Sequence, residues 1–190
     1  MPSWTTLGLA LGICATSAAR AGEIAGKVDA TPAKYLDETV VYVEKAPGTF
    51  APKTHKMDQK GMKFVPHLLT ITAGDTVEFL NSDAVDHNVY TPDNEGYNLG
   101  MIASKKDGKH TFDKPGVYSQ LCSVHPEMLA YVIVGQNPFA TVVGKDGKYK
   151  IEGVPPGEYT VLVWNSHLKA PGANVTVGAG KAEANFSVKR

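Results

Sequence analysis

Residues 115–134 read PGVYSQLCSVHPEMLAYVIV, and this stretch predicts two strands separated by a polar loop. Residues 117–122 and 131–134 are rich in apolar and β-branched side chains over strand length. The Pro115-Gly116 pair is a turn signal directly before the first strand. The stretch therefore indicates β-structure on both sides of a loop that carries most of the unusual side chains.

The rest of the chain repeats this pattern of short strands and turns. Apolar alternation with period two predicts further strands at 39–43, 68–71, 76–80, 148–151, 159–164, 174–177 and 184–188. Turn signals rich in Gly, Pro and Asp separate them, and no long stretch has the 3.6-residue period of a helix. Many short strands at this spacing predict an all-β chain, built as a sandwich or a Greek-key barrel.

Four side chains are candidates for holding a single metal ion. Cys122, His125 and Met128 follow the spacing Cys-x2-His-x2-Met, which is short enough to wrap around one ion, and His87 supplies a second imidazole. A thiolate, two imidazoles and a weak thioether suit copper better than magnesium or calcium, and they form electron-transfer copper sites. The sequence predicts one copper ion bound by His87, Cys122, His125 and Met128.

Each candidate ligand also has an ordinary structural interpretation. Alone, His87 could be a loop histidine, Met128 could fill the core, and Cys122 could be an inert buried thiol. Their joint spacing directly after a strand favours the metal interpretation. A weaker alternative adds a transient Cu(I) site formed by four other histidine and methionine side chains, namely His55, Met57, Met62 and His67.

The first 21 residues have the pattern of a secretory signal. Residues 4–15 are apolar and uncharged, and small residues stand at positions 19 and 21. The apolar run is too short to span a hydrocarbon layer of ~30 Å as a helix. Cleavage removes Cys14 and leaves Cys122 as the single cysteine, and a metal thiolate is protected in an oxidising compartment. We expect a periplasmic protein without a membrane span after cleavage; a retained anchor is the alternative.

The amino-acid composition and net charge exclude some classes of binding partner. The chain has 43% hydrophobic and 20% charged residues, as ordinary globular proteins do, and its formal net charge is zero. A nucleic-acid-binding protein or a polybasic membrane protein carries a large positive charge, so neither class is expected. Nothing in the sequence indicates an oligomeric state.

Residues 60–135 resemble the cupredoxins, the plastocyanin and amicyanin family. The resemblance rests on GMKFVP at 61–66, ITAGDTVEFLNSD at 71–83, HNV at 87–89, Phe112, PGVY at 115–118 and the Cys122 loop. It implies a Greek-key barrel with copper between loops at one end. The two-residue gap between His125 and Met128 is similar to amicyanin, and the loop with the strand after it also resembles plastocyanin-like proteins of the methylamine-utilisation type.

The resemblance also bears on two residues near the ligands. Asn88 is similar to a family asparagine that ties the histidine strand to the cysteine loop, here through Ser123, although a turn-forming asparagine is the alternative. Gln120 departs from the pattern, because relatives often carry an aromatic residue two positions before the cysteine. This departure weakens any inference about an electron path along this strand.

A second module is predicted outside the copper domain. Residues 147–161 read GKYKIEGVPPGEYTV and resemble transthyretin-like, carboxypeptidase-regulatory-like β-sandwich modules. Such modules begin with a Gly-x-Val strand, as at 26–28, which here precedes the copper domain. We therefore expect the cupredoxin, residues 51–137, to be inserted in a small β-sandwich made of 22–50 and 138–190. A tandem arrangement is the alternative.

The expected function is transient one-electron transfer between redox partner proteins. Leu121 and Ser123 flank Cys122, so the histidine that couples blue copper to a second centre in copper enzymes is absent, and no hydrolase or phosphate-binding motif stands out. We therefore expect no enzyme activity. The solvent-facing His125, with an apolar rim including Pro126 and Leu129, would be the docking patch. A copper carrier or sensor, or an extracytoplasmic binding module, is the alternative.

Overall fold

The computed structural model describes residues 20–190, so Cys14 and residues 1–19 of the expected signal lie outside the described residues. Within that range the chain is almost entirely β-structure, and the all-β prediction is confirmed. A short 3-10 helix spans Ala33–Glu38, and no helix of residues 20–190 is long and apolar enough to cross a membrane.

The strands are numbered in chain order. They are β1 (Gly22–Thr31), β2 (Thr39–Val43), β3 (Thr54–Gln59), β4 (Phe64–Val65), β5 (Leu68–Thr72), β6 (Asp75–Asn81), β7 (His87–Thr91), β8 (Tyr97–Ile102), β9 (Asp107–Phe112), β10 (Gly116–Leu121), β11 (Leu129–Gly135), β12 (Ala140–Val142), β13 (Lys148–Val154), β14 (Gly157–Asn165), β15 (Ala173–Val177), β16 (Lys181–Glu183) and β17 (Phe186–Lys189).

Strands β3 to β11 form what we call the inner sandwich. One sheet has the order β4-β3-β6-β9, and the other has the order β5-β11-β10-β7-β8. Both sheets contribute to one buried core, which includes Met57, Phe79, Phe112, Tyr118 and Val132. The alternation of β6, in which Val77 and Phe79 are buried and Glu78 is not, is the period-two pattern of a sheet with one face against the core.

The remaining strands form the outer sandwich, which uses both ends of the described chain. One sheet contains β13, β1, β16 and β17, and the other has the order β12-β2-β14-β15. Strand β1 pairs with β13 from Gly22 opposite Val154 to Lys27 opposite Lys148. Strand β2 pairs with both β12 and β14. The outer sandwich has its own core, which includes Ile24, Val41, Val161 and Phe186.

The strand pairing carries a proposal about domain organisation. We propose that residues 51–137 are inserted in a sandwich formed by 22–50 and 138–190, since neither end alone supplies both outer sheets. The two segments in which the chain passes between the sandwiches are hydrogen-bonded to each other. Val43 donates its N–H to the Phe139 carbonyl (2.9 Å), and the Asn137 side-chain amide donates to the Val43 carbonyl (3.0 Å).

A third apolar cluster, which we call the seam cluster, joins the two sandwiches. Its buried members Val40, Leu68 and Ile133 are packed against Tyr42, Val117, Tyr131 and Trp164. Strand β11 serves both sides because successive side chains point to opposite faces of a strand. Ala130 and Val132 face the inner core, whereas Tyr131 and Ile133 belong to the seam cluster.

Asp75 is a buried carboxylate at the start of β6, with 2% of its surface exposed. It accepts hydrogen bonds from the backbone N–H groups of Lys53 (2.7 Å) and Thr72 (2.9 Å) and from His55 Nε2 (2.8 Å). Burial by itself raises the pKa of the Asp75 carboxyl, but these hydrogen bonds outweigh burial and lower the pKa below its ordinary value of 3.8.

This lowered pKa makes stability depend on pH. A carboxyl whose pKa is lower in the folded state stabilises the fold above its ordinary pKa, and this contribution is lost as the pH falls through its folded pKa. We expect the free energy of unfolding to fall below pH 3.8, and Asp75→Asn to flatten that dependence while lowering stability at neutral pH. Denaturant unfolding across pH measures both effects. Asp113→Asn, at an exposed site, should keep the wild-type slope; an equal slope in Asp75→Asn would contradict the prediction.

Candidate metal centre

The strand order of the inner sandwich places the predicted ligands beside one another. His87 is the first residue of β7, and Cys122 follows the last residue of β10, the neighbouring antiparallel strand. His125 and Met128 lie in the loop between β10 and β11. The Asn88 backbone N–H donates to Cys122 Sγ at 3.4 Å, so the two strand ends are in direct contact.

Three of the four predicted ligands form a compact group. His87 Nδ1 lies 3.0 Å from His125 Nδ1, and Cys122 Sγ lies 3.8 Å from His125 Nδ1. The ligand atoms of His87, Cys122 and His125 all lie within 4.8 Å of one another. His87 and Cys122 are buried, whereas His125 is half-buried. One imidazole edge of the site thus reaches the protein surface.

Met128, the fourth predicted ligand, is buried as His87 and Cys122 are. Its side chain is 1% exposed and lies in the same core cluster as Cys122. Its backbone N–H donates to the His125 carbonyl at 3.0 Å, which closes the loop into a turn. The role of this buried thioether as a ligand stays a prediction.

The convergent nitrogen and sulfur atoms fit a soft metal ion. Two ring nitrogens lie 3.0 Å apart with a sulfur beside them, close enough for all three atoms to bind one ion. Imidazole and thiolate donors bind copper in proteins, whereas magnesium and calcium require oxygen donors. Within residues 20–190 no other group of three or more His, Cys, Asp or Glu side chains offers such a site.

Asp83 orients the buried histidine, and sequence reasoning missed it. Its carboxylate accepts hydrogen bonds from His87 Nε2 (2.8 Å) and from the backbone N–H groups of Gly61 (2.6 Å) and Met62 (2.9 Å). The backbone hydrogen bonds, with a smaller contribution from His87, lower the pKa of Asp83 to about 2. A carboxylate that accepts the Nε2 proton fixes the tautomer and leaves Nδ1 free for a metal. The spacing Asp-x3-His was the available signal.

Asn88 ties the histidine strand to the cysteine loop. Its side-chain oxygen accepts the Ser123 backbone N–H at 3.3 Å, the contact expected from the family resemblance. Its side-chain NH2 donates to Asn98 Oδ1 and to the Gly100 carbonyl, both at 2.9 Å. Asn88 is therefore a strand residue that crosslinks three segments around Cys122, and the alternative of a turn-forming asparagine is wrong.

The sequence around this site is similar to the sequences of known copper-binding proteins. Residues 51–135 match the model of the copper-binding proteins of the plastocyanin/azurin family. Amicyanin-alpha of Methylorubrum extorquens is 32% identical over 77 residues, a match that covers 38% of this chain and 65% of that protein. Over residues 51–135 the chain is thus similar to the cupredoxins, and this stretch is called the cupredoxin domain. The cofactor of this family is copper, in agreement with the donor set of the site.

Parts of the chain are also similar to solved structures of copper proteins and to a further family model. A Cu(I) amicyanin variant is 27% identical, with 43% of this chain and 81% of that chain covered and a TM-score of 0.41. A copper nitrite reductase of Thermus scotoductus is also 27% identical, with 50% of this chain but 25% of that chain covered and a TM-score of 0.43. Residues 131–185 match domain II of polysaccharide lyase family 4. The match to amicyanin-alpha spans just under two thirds of that relative.

The four residues of the second copper hypothesis have other roles in the cupredoxin domain. The Met57 side chain is fully buried in the core, and His55 is paired with Asp75. Nδ1 of His67 donates to the Leu129 carbonyl at 3.0 Å. Met62 is exposed beside Asp83. The structure does not assemble these side chains into a metal site.

Gln120, the departure from the family pattern, is buried and hydrogen-bonded. Its side-chain oxygen accepts the Tyr97 hydroxyl, and its side-chain NH2 donates to the Tyr118 carbonyl at 3.2 Å. The Tyr97 ring stacks on His110 at 3.7 Å between centroids. Burial raises the pKa of Tyr97 and keeps its hydroxyl protonated as a donor. The Gln120 side chain thus holds Tyr97, which lies on the next strand but one of the same sheet.

Proposed function

We propose that this protein is a periplasmic one-electron carrier in which His87, Cys122, His125 and Met128 hold a single copper ion. The observation that supports this most is the convergence of two imidazole nitrogens and a thiol sulfur within 4.8 Å inside a cupredoxin domain. When bound, copper supplies a one-electron couple between Cu(II) and Cu(I). We further propose a cleaved signal at residues 1–21 and no enzyme activity.

The residues around the site hold the ligands still. Asp83 fixes the ring of His87, and the Asn88 backbone N–H and side chain fix Cys122 and the start of its loop. Ligands held by such hydrogen bonds keep one geometry in both oxidation states, so little rearrangement opposes electron transfer. This favours a carrier over a site that releases its metal readily.

The exposed surface at the site suits brief encounters with a redox partner. Half-buried His125 lies in the same loop as the exposed residues Val124 and Pro126, and Leu129 directly after this loop is exposed as well. Exposed apolar side chains also lie in the segments next to Asp83, namely Met62 and Val85. A small apolar patch favours contacts of low area and short lifetime, as electron-transfer complexes require. We propose that electrons pass through the His125 edge.

The test is spectroscopic and electrochemical. Copper-loaded protein is expected to show intense copper–thiolate absorption in the visible region and a reversible one-electron wave in voltammetry. A colourless site from which Cu(I) is captured rapidly by a chelator would contradict the proposal and support a copper carrier. Zinc-loaded protein is the control, since zinc has no redox couple and should show neither signal.

Asp83→Asn tests the support of His87. An asparagine side chain has a single, neutral acceptor oxygen in place of the two carboxylate oxygens that accept from His87 Nε2 and from the Gly61 and Met62 N–H groups. We therefore expect copper affinity to fall about ten- to a hundredfold. Asp86→Asn is the matched control, because it removes the same charge from the same loop, and Asp86 contacts the Ser104 backbone N–H rather than a ligand. Competition titration against a chelator gives both affinities. Equal affinities for the two variants would show that Asp83 acts only through its charge.

A further inference from the structure

The two ends of the metal-binding loop pair with each other, Leu121 opposite Leu129, and each end also has contacts of its own. At the first end, Cys122 is fixed within the inner sandwich by Asn88. At the second end, the Met128 side chain is buried in the inner core, whereas the side chain of Leu129, the first residue of β11, is exposed. The contacts made by residues that follow Leu129 add further support to this second end.

Tyr131 and His67 provide part of that support. His67 Nδ1 donates to the Leu129 carbonyl at 3.0 Å, and the Tyr131 backbone N–H donates to the His67 carbonyl at 2.8 Å. The two rings meet edge to face, with centroids 5.8 Å apart. The position of the backbone that follows Met128 therefore depends on the position of Tyr131.

Trp164 of the outer sandwich packs against Tyr131 on the other side. The ring centroids lie 5.0 Å apart with an interplanar angle of 62°, a favourable edge-to-face arrangement. Trp164 belongs to β14, and its neighbour Asn165 locks that end of the strand. The Asn165 side chain donates to Thr39 Oγ1 and the Tyr35 carbonyl, both at 2.8 Å, and accepts the Leu168 N–H at 2.9 Å.

We propose that Trp164 is a positioning residue for the metal-binding loop, through which the outer sandwich restrains the copper site. We call this restraint the clamp. The chain of contacts runs from Trp164 to Tyr131, and from Tyr131 and His67 to the backbone that carries Met128. The cupredoxin domain thereby gains support for the second end of its loop from residues outside residues 51–135. This inference rests on the proposed copper site.

Copper release tests the clamp. Trp164→Ala removes the ring that restrains Tyr131, and we expect copper to pass to a chelator about three- to tenfold faster. This effect is smaller than that of mutating a residue hydrogen-bonded directly to a ligand. Trp164→Phe keeps an aromatic ring against Tyr131 and should release copper at nearly the wild-type rate. Equal rates for wild type and Trp164→Ala would overturn the proposal.

Phe186→Ala separates positioning from general loss of stability. Phe186 is buried in the outer core against Tyr149 and is not part of the seam cluster. It should lower the melting temperature of the outer sandwich and leave the copper release rate unchanged. If Phe186→Ala accelerates release as much as Trp164→Ala, the outer sandwich acts through stability alone and the proposal is wrong.

Hydrogen exchange of the metal-free protein keeps this test independent of the copper assignment. Trp164→Ala should speed exchange at the Tyr131 amide and leave the Asn88 amide, at the other end of the loop, unchanged. Unchanged exchange at Tyr131 would contradict the clamp. If wild-type protein binds no copper but exchange responds as expected, the proposed function fails while the mechanical link stands.

Discussion

Replacing Cys122 with serine is expected to abolish the copper–thiolate absorption and to weaken copper binding by more than about a hundredfold. Mutation of a group that only orients a ligand already lowers metal affinity by about ten- to a hundredfold, and a ligand itself contributes more. A serine hydroxyl is a hard, neutral donor that stays protonated at neutral pH and cannot replace a soft thiolate. The buried sulfur also accepts the Asn88 N–H, so the loop loses one anchor. Visible absorption and a chelator competition titration measure the two effects.

Ser123→Ala is the matched control for this experiment. Ser123 is the next residue, its side chain is exposed, and its contact with Asn88 uses the backbone N–H, which alanine retains. We expect Ser123→Ala to keep the wild-type spectrum and affinity. If Cys122→Ser kept the same absorption, the thiolate would not be a ligand, and the proposed site would have to be abandoned.

Phe112→Ala is expected to lower the free energy of unfolding of the inner sandwich by about 3–5 kcal/mol. The Phe112 side chain is fully buried, and its ring meets Tyr97, His110 and Tyr118 at centroid distances of 5.7, 4.8 and 5.0 Å. Truncation removes these contacts and leaves a cavity that a rigid sheet cannot close. Urea denaturation, followed by the circular dichroism of the aromatic residues, measures the loss.

Val142→Ala is the surface control for the core substitution. Val142 lies on β12 with 38% of its surface exposed, so its truncation should change stability by less than about 0.5 kcal/mol. A loss below 1 kcal/mol for Phe112→Ala would indicate that the aromatic cluster repacks around the gap, and the described core would not be rigid.

The sequence predicted most of the strands whose apolar residues alternate. It missed several others, among them β8 and β9 at sheet edges and β3 and β7 inside their sheets. Strand β2, Thr39–Val43, has the predicted bounds, and β14 extends the prediction by a few residues. Strands β8 and β9 were not predicted. In β9 only Phe112 is buried, and β8 ends its sheet with Ile102 as its one buried residue. Their conformation depends on backbone pairing with neighbours, which leaves little trace in side-chain periodicity.

The candidate site was predictable where its residues are close in sequence. The spacing of Cys122, His125 and Met128 brought three side chains to notice, and the need for a second imidazole added His87. Asp83 was not predicted, because the spacing Asp-x3-His does not by itself show that a turn brings the carboxylate to His87 Nε2 and to the Gly61 backbone. The contact of Trp164 with Tyr131 likewise depends on how two sandwiches pack.

The discontinuous outer sandwich has a consequence for the order in which the chain folds as it is synthesised. Strands β1 and β2 leave the ribosome first, but their partners β13 and β14 follow only after the whole inner sandwich. Contacts between such distant segments close late because the loop between them must be ordered first. Trp164 therefore reaches Tyr131 late, and we expect the metal-binding loop to form before this contact does.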